Sequence, residues 1–179
     1  MDWGRIAKRI RVPLGFLFAV FFLIFARPRC WSLAAGSALA LTGVWIRALS
    51  SGHVKKNEEL ATSGPYAYTR NPLYFGSIVI AAGFALASLR WEIALALVIL
   101  FAAIYVPVIR GEEQFLNQRF AEYPEYCSRV PRLLPRLRAG NQGNSRFSPE
   151  LYWKHREYNA LLGTLAVIAA LALRIWIKR

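Results

Sequence analysis

Five apolar runs, separated by short polar segments, organise this chain. Val12–Ala26 is the first, and Trp31–Leu49 is the second, interrupted only by Arg47 near its end. Tyr74–Leu89 and Ile93–Ile109 follow, split by the tight turn Arg90-Trp91-Glu92. Tyr158–Ile177 closes the series, with Arg174 near enough to its end to snorkel to an interface. Runs this apolar predict helices that cross a bilayer. Several fall short of the ~20 residues a span needs, so flanking Tyr and Trp must complete them at the headgroup level. The expectation is an all-α, polytopic membrane protein with about five transmembrane helices. In the third run Ser77, Ala81 and Ala85 recur at four-residue spacing, and Gly76 and Gly83 lie seven apart. Small residues on one face let a neighbouring helix approach closely. Gly83 reads as a packing position; Gly76, beside the motif described below, suits either packing or ligand contact.

Composition agrees, with 56% hydrophobic and only 18% charged residues among 179. The first run follows Arg5, Lys8, Arg9 and Arg11, as a signal peptide would, but it ends in Arg27-Pro28-Arg29 rather than at a small-residue cleavage site. It is expected to be a retained helix. The net charge of +13 invites a nucleic-acid reading, but its distribution argues against one. With the N-terminus inside, 17 of the 23 basic residues fall on the cytoplasmic side. The positive-inside rule accounts for that bias, and anionic headgroups are a plausible additional attraction. Cys30 and Cys127 end on opposite sides in this topology, so no disulfide between them is expected. The same topology brings residues 50–73 and 110–157 to one face of the membrane. The stretch 139–149, AGNQGNSRFSP, reads as a flexible linker. The chain thus divides into a membrane core (1–138), the linker (139–149) and an additional C-terminal helix (150–179).

The candidate chemistry lies in the segment GPYAYTRNPLYFG, residues 64–76. Gly64-Pro65 marks a turn. Pro72 suits the first turn of the following helix, and Asn71 before it is a natural N-cap. A helix N-terminus with Arg70 beside it attracts anions, a carboxylate above all. The same residues are also compatible with a simpler role, Arg70 meeting lipid phosphates and Tyr66, Tyr68 and Tyr74 forming an interfacial aromatic belt. His53-Val-Lys-Lys-Asn57 upstream adds polar groups to the loop. Across the hairpin, Arg110-Gly-Glu112-Glu113 continues from the apolar run, and carboxylates at a membrane boundary are costly without partners. Successive helical residues diverge by ~100°, so one of the two glutamates is expected to face the loop.

The pattern His53-V-K-K-Asn57-E, then T-S-Gly64-P-Tyr66-x-x-x-Arg70-N-Pro72-x-Tyr74-x-Gly76, resembles the isoprenylcysteine carboxyl methyltransferase family. Arg110-x-Glu112-Glu113-x-x-Leu116-x-x-x-Phe120, with Tyr126 and Arg129-Val-Pro131, extends the likeness to roughly residues 45–137. The wider group includes phosphatidylethanolamine N-methyltransferases, and its fold is shared with membrane sterol reductases. Two positions depart: the family's Arg-His-Pro is Arg70-Asn71-Pro72 here, and its Phe-Gly is Phe120-Ala121.

The resemblance implies an integral membrane methyltransferase using S-adenosylmethionine on a lipidic acceptor, a carboxylate of isoprenylcysteine type first and a phospholipid amine second. An NADPH-dependent lipid or sterol reductase is a further alternative; those enzymes carry an acidic residue where Ser77 stands here. The cofactor would be held by His53, Lys56, Asn57, Leu60, Ala61, Tyr66, Asn71, Pro72, Leu73, Tyr74, Gly76 and Glu112. Arg70, Glu112 and Glu113 are the implied catalytic groups, with Arg70 and Arg110 on the acceptor and no metal. The expected partner is a lipid or prenylated small molecule reached at the cytoplasmic face, not nucleic acid. Cysteine labelling checks the orientation: a cysteine at Ser145 should be protected from an external reagent and one at Lys178 should react. Equal protection of both would overturn the five-span count.

Overall fold

A computed structural model describes residues 3–55, 58–140 and 145–178, and every regular element among them is helical. The elements are α1 (Trp3–Phe25), α2 (Cys30–Ser51), α3 (Pro72–Ser88), α4 (Trp91–Leu100), α5 (Val106–Arg119), α6 (Tyr123–Arg129), α7 (Pro149–Lys154) and α8 (Tyr158–Ile177). A 3₁₀ turn, Gly64–Ala67, lies between α2 and α3. A π-helical turn, Phe101–Tyr105, joins α4 to α5 into one continuous helix, Trp91–Arg119. Three helices are long and apolar enough to cross a membrane: Cys30–Ser51, Trp91–Arg119 and Tyr158–Ile177. The apolar helices Pro13–Phe25 and Pro72–Ser88 are shorter. The 17 residues of α3 rise about 25 Å, below the ~30 Å hydrocarbon thickness. The all-α membrane architecture is therefore present, and a count of five spans remains a proposal.

The principal seam is between α2 and α3, and glycines create it. The pairs Gly36/Gly83 and Gly43/Gly76 face each other, so the antiparallel backbones touch. A Cβ on Gly83 would sit 2.6 Å from the Ala40 nitrogen and the Gly36 carbonyl oxygen. One on Gly76 would lie 2.7 Å from the Arg47 side chain and 2.8 Å from the Gly43 oxygen. Both glycines of α3 are thus packing positions, which resolves the two readings of Gly76. At the far end of this seam the Arg27 N–H donates to the Ser88 carbonyl (2.9 Å) and the Ser32 hydroxyl to that of Ala87 (3.2 Å).

The continuous helix Trp91–Arg119 has 29 residues and is about 43 Å long, so it extends past a bilayer core and carries Glu112 and Glu113 beyond it. Its π turn ends just before Pro107, which has no N–H to donate back along the helix. A widened turn is one way a helix absorbs that interruption. The turn sets the Tyr105 ring flat on Phe101 (4.9 Å) and edge-on to Tyr74 (5.6 Å).

The C-terminal helix is fastened at both ends. Leu171 is fully buried in a cluster with Phe22, Ala26, Ala87 and Ile93. Arg174 does not snorkel away from the bundle: it donates to the carbonyls of Leu23 and Ile24 that end α1. At the other end, Glu157 forms a two-pronged ion pair with Arg47 of α2 (2.8 and 3.1 Å). No disulfide joins Cys30, at the start of α2, to Cys127 on α6. Residues 141–144 of the expected linker lie outside the described residues.

The seam makes a prediction of opposite signs. Gly83→Ala forces backbone apart and should cost about 1–3 kcal/mol, read as a lower Tm in detergent. Gly163→Ala, where an added Cβ meets nothing within 4 Å, should be neutral or raise the Tm.

Candidate active site

The tyrosine-rich segment holds its shape because a later stretch of chain runs alongside it. The Arg70 N–H donates to the Pro131 carbonyl (2.9 Å), Arg136 N–H to that of Tyr68 (3.0 Å), and Gly140 N–H to that of Ala67 (2.7 Å). Side chains finish the strapping: the Thr69 hydroxyl reaches the Leu133 carbonyl (3.0 Å) and the Asn71 amide reaches that of Arg132 (2.9 Å). Asn71 occupies the N-cap position of α3, but its side chain makes no capping bond because Arg132 takes it. The Arg-Asn-Pro variation therefore has a structural task of its own.

Between this loop, the first turn of α3 and α5 lies a cleft of about 260 Å³. Leu60 and Ala61 line one side, Asn71, Pro72, Leu73 and Tyr74 another, and Glu112, Phe115 and Leu116 a third. Tyr66, Arg70 and Tyr126 complete it, with Lys55 and Glu59 at the loop. The Tyr74 hydroxyl donates to the Glu112 carboxylate (2.9 Å), and the Tyr126 hydroxyl donates to the Tyr66 carbonyl (2.7 Å). Burial, then Tyr126 and Glu112, push the Tyr66 phenol far above its ordinary range. Burial and then Tyr123 do the same for Tyr126. Both therefore remain neutral hydroxyls at physiological pH.

Glu112 and Glu113 diverge as helical geometry requires. Glu112 faces the cleft. Glu113 is buried behind it, 2.8 Å from an Arg132 nitrogen and 3.4 Å from an Arg70 nitrogen. The longer pair lies within Coulombic range but is not a hydrogen bond, and the Oε1 atom of Glu113 has no hydrogen-bond partner. Arg70 also donates to the Cys127 sulfur. Burial works against the Arg70 charge, Glu113 and Cys127 outweigh it, and the net direction is upward. The guanidinium stays charged, and its buried Nε has no hydrogen-bond partner.

Among the predicted residues, Leu60, Ala61, Tyr66, Arg70, Asn71, Pro72, Leu73, Tyr74 and Glu112 come together around the cleft. Besides Glu113, which lies behind the cleft, three others do not line it. His53 turns its ring onto Gly64, where a Cβ would lie 2.6 Å from its Nε2, and its Nδ1 sits 2.8 Å from the Leu49 oxygen. Gly76 packs on α2, and Arg110 is exposed on the side of α5 away from the cleft lining. Lys56 and Asn57 lie outside the described residues.

One contact was missed by sequence reasoning. Besides Glu157, Arg47 binds the Ser77 hydroxyl (2.6 Å) and the Leu73 carbonyl (3.2 Å). Leu73 lines the cleft, so the C-terminal helix reaches the first turn of α3 through a single arginine. The available signal was Arg47 itself, the lone charge within an apolar run.

The family profile described as phospholipid methyltransferase matches residues 31–123, just over half of the chain. The chain belongs to the phospholipid methyltransferase family. That match takes in the loop, α3 and both glutamates, and ends before α8. Two curated relatives are similar over 103 residues, which is 57% of this chain and 47% of each relative. They are the cobalt-zinc-cadmium resistance protein CzcN of Cupriavidus metallidurans, 38% identical, and the nickel-cobalt-cadmium resistance protein NccN of Alcaligenes xylosoxydans xylosoxydans, 36% identical. The chain spans about half the length of these relatives. No solved structure matches it.

The Arg47–Glu157 pair is mostly buried, with side chains 22% and 11% exposed. Removing one partner of such a pair leaves an uncompensated charge and costs about 3–5 kcal/mol. Glu157→Gln should therefore lower the detergent Tm by several degrees, whereas Glu59→Gln, in an exposed pair with Lys55, should leave it nearly unchanged.

Proposed function

We propose that this family member transfers a methyl group from S-adenosylmethionine to a lipidic acceptor at the membrane surface. The observation that carries the reading is the donor set of the cleft. A carboxylate (Glu112) and aromatic faces (Tyr66, Tyr74) suit a sulfonium. The first turn of α3 suits an amino-acid carboxylate. Leu60, Ala61 and Leu116 suit an adenine. When bound, S-adenosylmethionine supplies an electrophilic methyl group on a sulfur leaving group.

The chain's own contribution is alignment and exclusion of water. We favour an acceptor carboxylate, of isoprenylcysteine type, because a carboxylate nucleophile needs no general base, only a fixed cation to aim it. Arg70 is that cation. Glu113 braces it from behind, while Arg70 itself lines the cleft. The second reading is N-methylation of a phospholipid amine, favoured by the description of the matching family; Glu112 would then take the amine's proton. On the expected orientation the cleft opens to the cytoplasm, with five spans. The relatives are named for metal resistance, and lipid methylation would bear on such a setting through the surface charge that attracts cations.

Calorimetry on the purified protein tests the class. S-adenosylhomocysteine should bind and NADPH should not; the reverse result would sink the methyltransferase reading. Glu112→Gln should weaken binding of S-adenosylmethionine roughly ten- to over a hundredfold, the ~1.5–3 kcal/mol of an interaction with a charged group. Arg70→Lys keeps the charge but loses the planar fork, so it should reduce turnover more than cofactor binding. Methyl transfer to prenylcysteine and to phosphatidylethanolamine in parallel separates the two acceptors.

A further inference from the structure

The end of the bundle opposite the cleft carries a second, chemically different site. The two ends are separated by α2, whose 22 residues rise about 33 Å. Arg27, Arg29, Arg174 and Lys178 converge there around a cavity of about 570 Å³, and no Asp or Glu lines it. Arg174 is committed to the last carbonyls of α1. Among the described residues, Arg27, Arg29 and Lys178 have no acidic partner. Arg90, at the same end, differs in being paired with Glu92 at 3.0 Å.

An apolar groove of about 340 Å³ adjoins this cavity between α2 and α8. Leu33, Ala34, Ala172 and Trp176 line it, and it shares Cys30 and Ile175 with the cationic cavity. A cationic mouth therefore leads directly into an apolar channel along the outside of two helices. On the expected orientation these cations face the non-cytoplasmic side, where topology disfavours them, so the orientation signal does not account for the cluster.

We propose that this composite site holds one anionic phospholipid of the adjacent leaflet. Its phosphate lies among Arg27, Arg29 and Lys178, and an acyl chain follows the groove past Ala34 and Ala172. Charge complementarity selects the head, and continuity with the groove selects a lipid over a soluble anion. Its distance from the cleft makes this lipid a bound structural partner, not the methyl acceptor. The lipid bridges α2 and α8, so it should tighten the attachment of the C-terminal helix.

The test is thermal unfolding of the full chain in neutral detergent, titrated with phosphatidylglycerol, phosphatidylcholine or glycerol 3-phosphate. Phosphatidylglycerol should raise the Tm saturably, as a ligand of the folded state does, and the other two should not. The triple variant Arg27→Gln, Arg29→Gln, Lys178→Gln should need at least about tenfold more phosphatidylglycerol for half the effect. Ala34→Trp, which fills the exposed groove, should weaken the titration similarly while leaving the lipid-free Tm near that of the parent. Should the triple variant fail to fold, Ala34→Trp alone decides. Equal stabilisation by phosphatidylcholine, an unchanged titration in either variant, or full stabilisation by glycerol 3-phosphate would each overturn the proposal.

Discussion

A carboxylate buried at the edge of a membrane must have its charge balanced, and Glu113 is where the polar half of this protein is tied together. It projects from α5, which is rigid because it continues a 29-residue helix. Its two partners come from elsewhere in sequence: Arg70 from the loop before α3, and Arg132 from the stretch after α6. The three charges thus join the elements that enclose the cleft. The backbone bonds between residues 67–70 and 131–140 add shape, but Glu113 fixes which face of α5 meets the loop. With Glu113 turned inward, helical geometry turns its neighbour Glu112 to the cleft, where Tyr74 receives it.

The membrane half solves a different problem. Without a hydrophobic drive between helices in lipid, close packing must come from shape. The paired glycines of α2 and α3 provide it, and they hold the first turn of α3 against Arg47. Arg47 then meets Glu157, so α8 takes part in the arrangement although it lies beyond the matched family region. The helix that resembles an appendage in sequence acts as a brace behind the cleft.

Much of this was legible in the sequence. Apolar runs marked both ends of α2, α3 and α8 to within a few residues, but only one end of α1, which begins nine residues before its run, and only one end of the Trp91–Arg119 helix. Pro72 marked the start of α3, and the 100° step between Glu112 and Glu113 gives them different partners, although both reach the 64–76 segment, Glu112 at Tyr74 and Glu113 at Arg70. Local signals failed where a distant partner competed. Asn71 has an N-cap's sequence setting, but the Arg132 carbonyl, 61 residues away, captures its amide. His53 resembles a polar ligand until Gly64 is seen to accept its ring. The run Ile93–Ile109 gave no sign of its π turn or of continuing to Arg119. Arg47 was visible as an anomaly, but its partner lies 110 residues away and no local pattern names it.

We propose the cleft between the loop, α3 and α5 as the cofactor site. Photo-crosslinking of S-adenosylmethionine labelled in its methyl group, followed by peptide mapping, tests it most directly. Label should appear on peptides containing Tyr66–Tyr74 or Glu112–Leu116 and should be suppressed by excess S-adenosylhomocysteine. Suppressible label confined to α8 or to the Arg27–Cys30 end of the bundle would contradict the account.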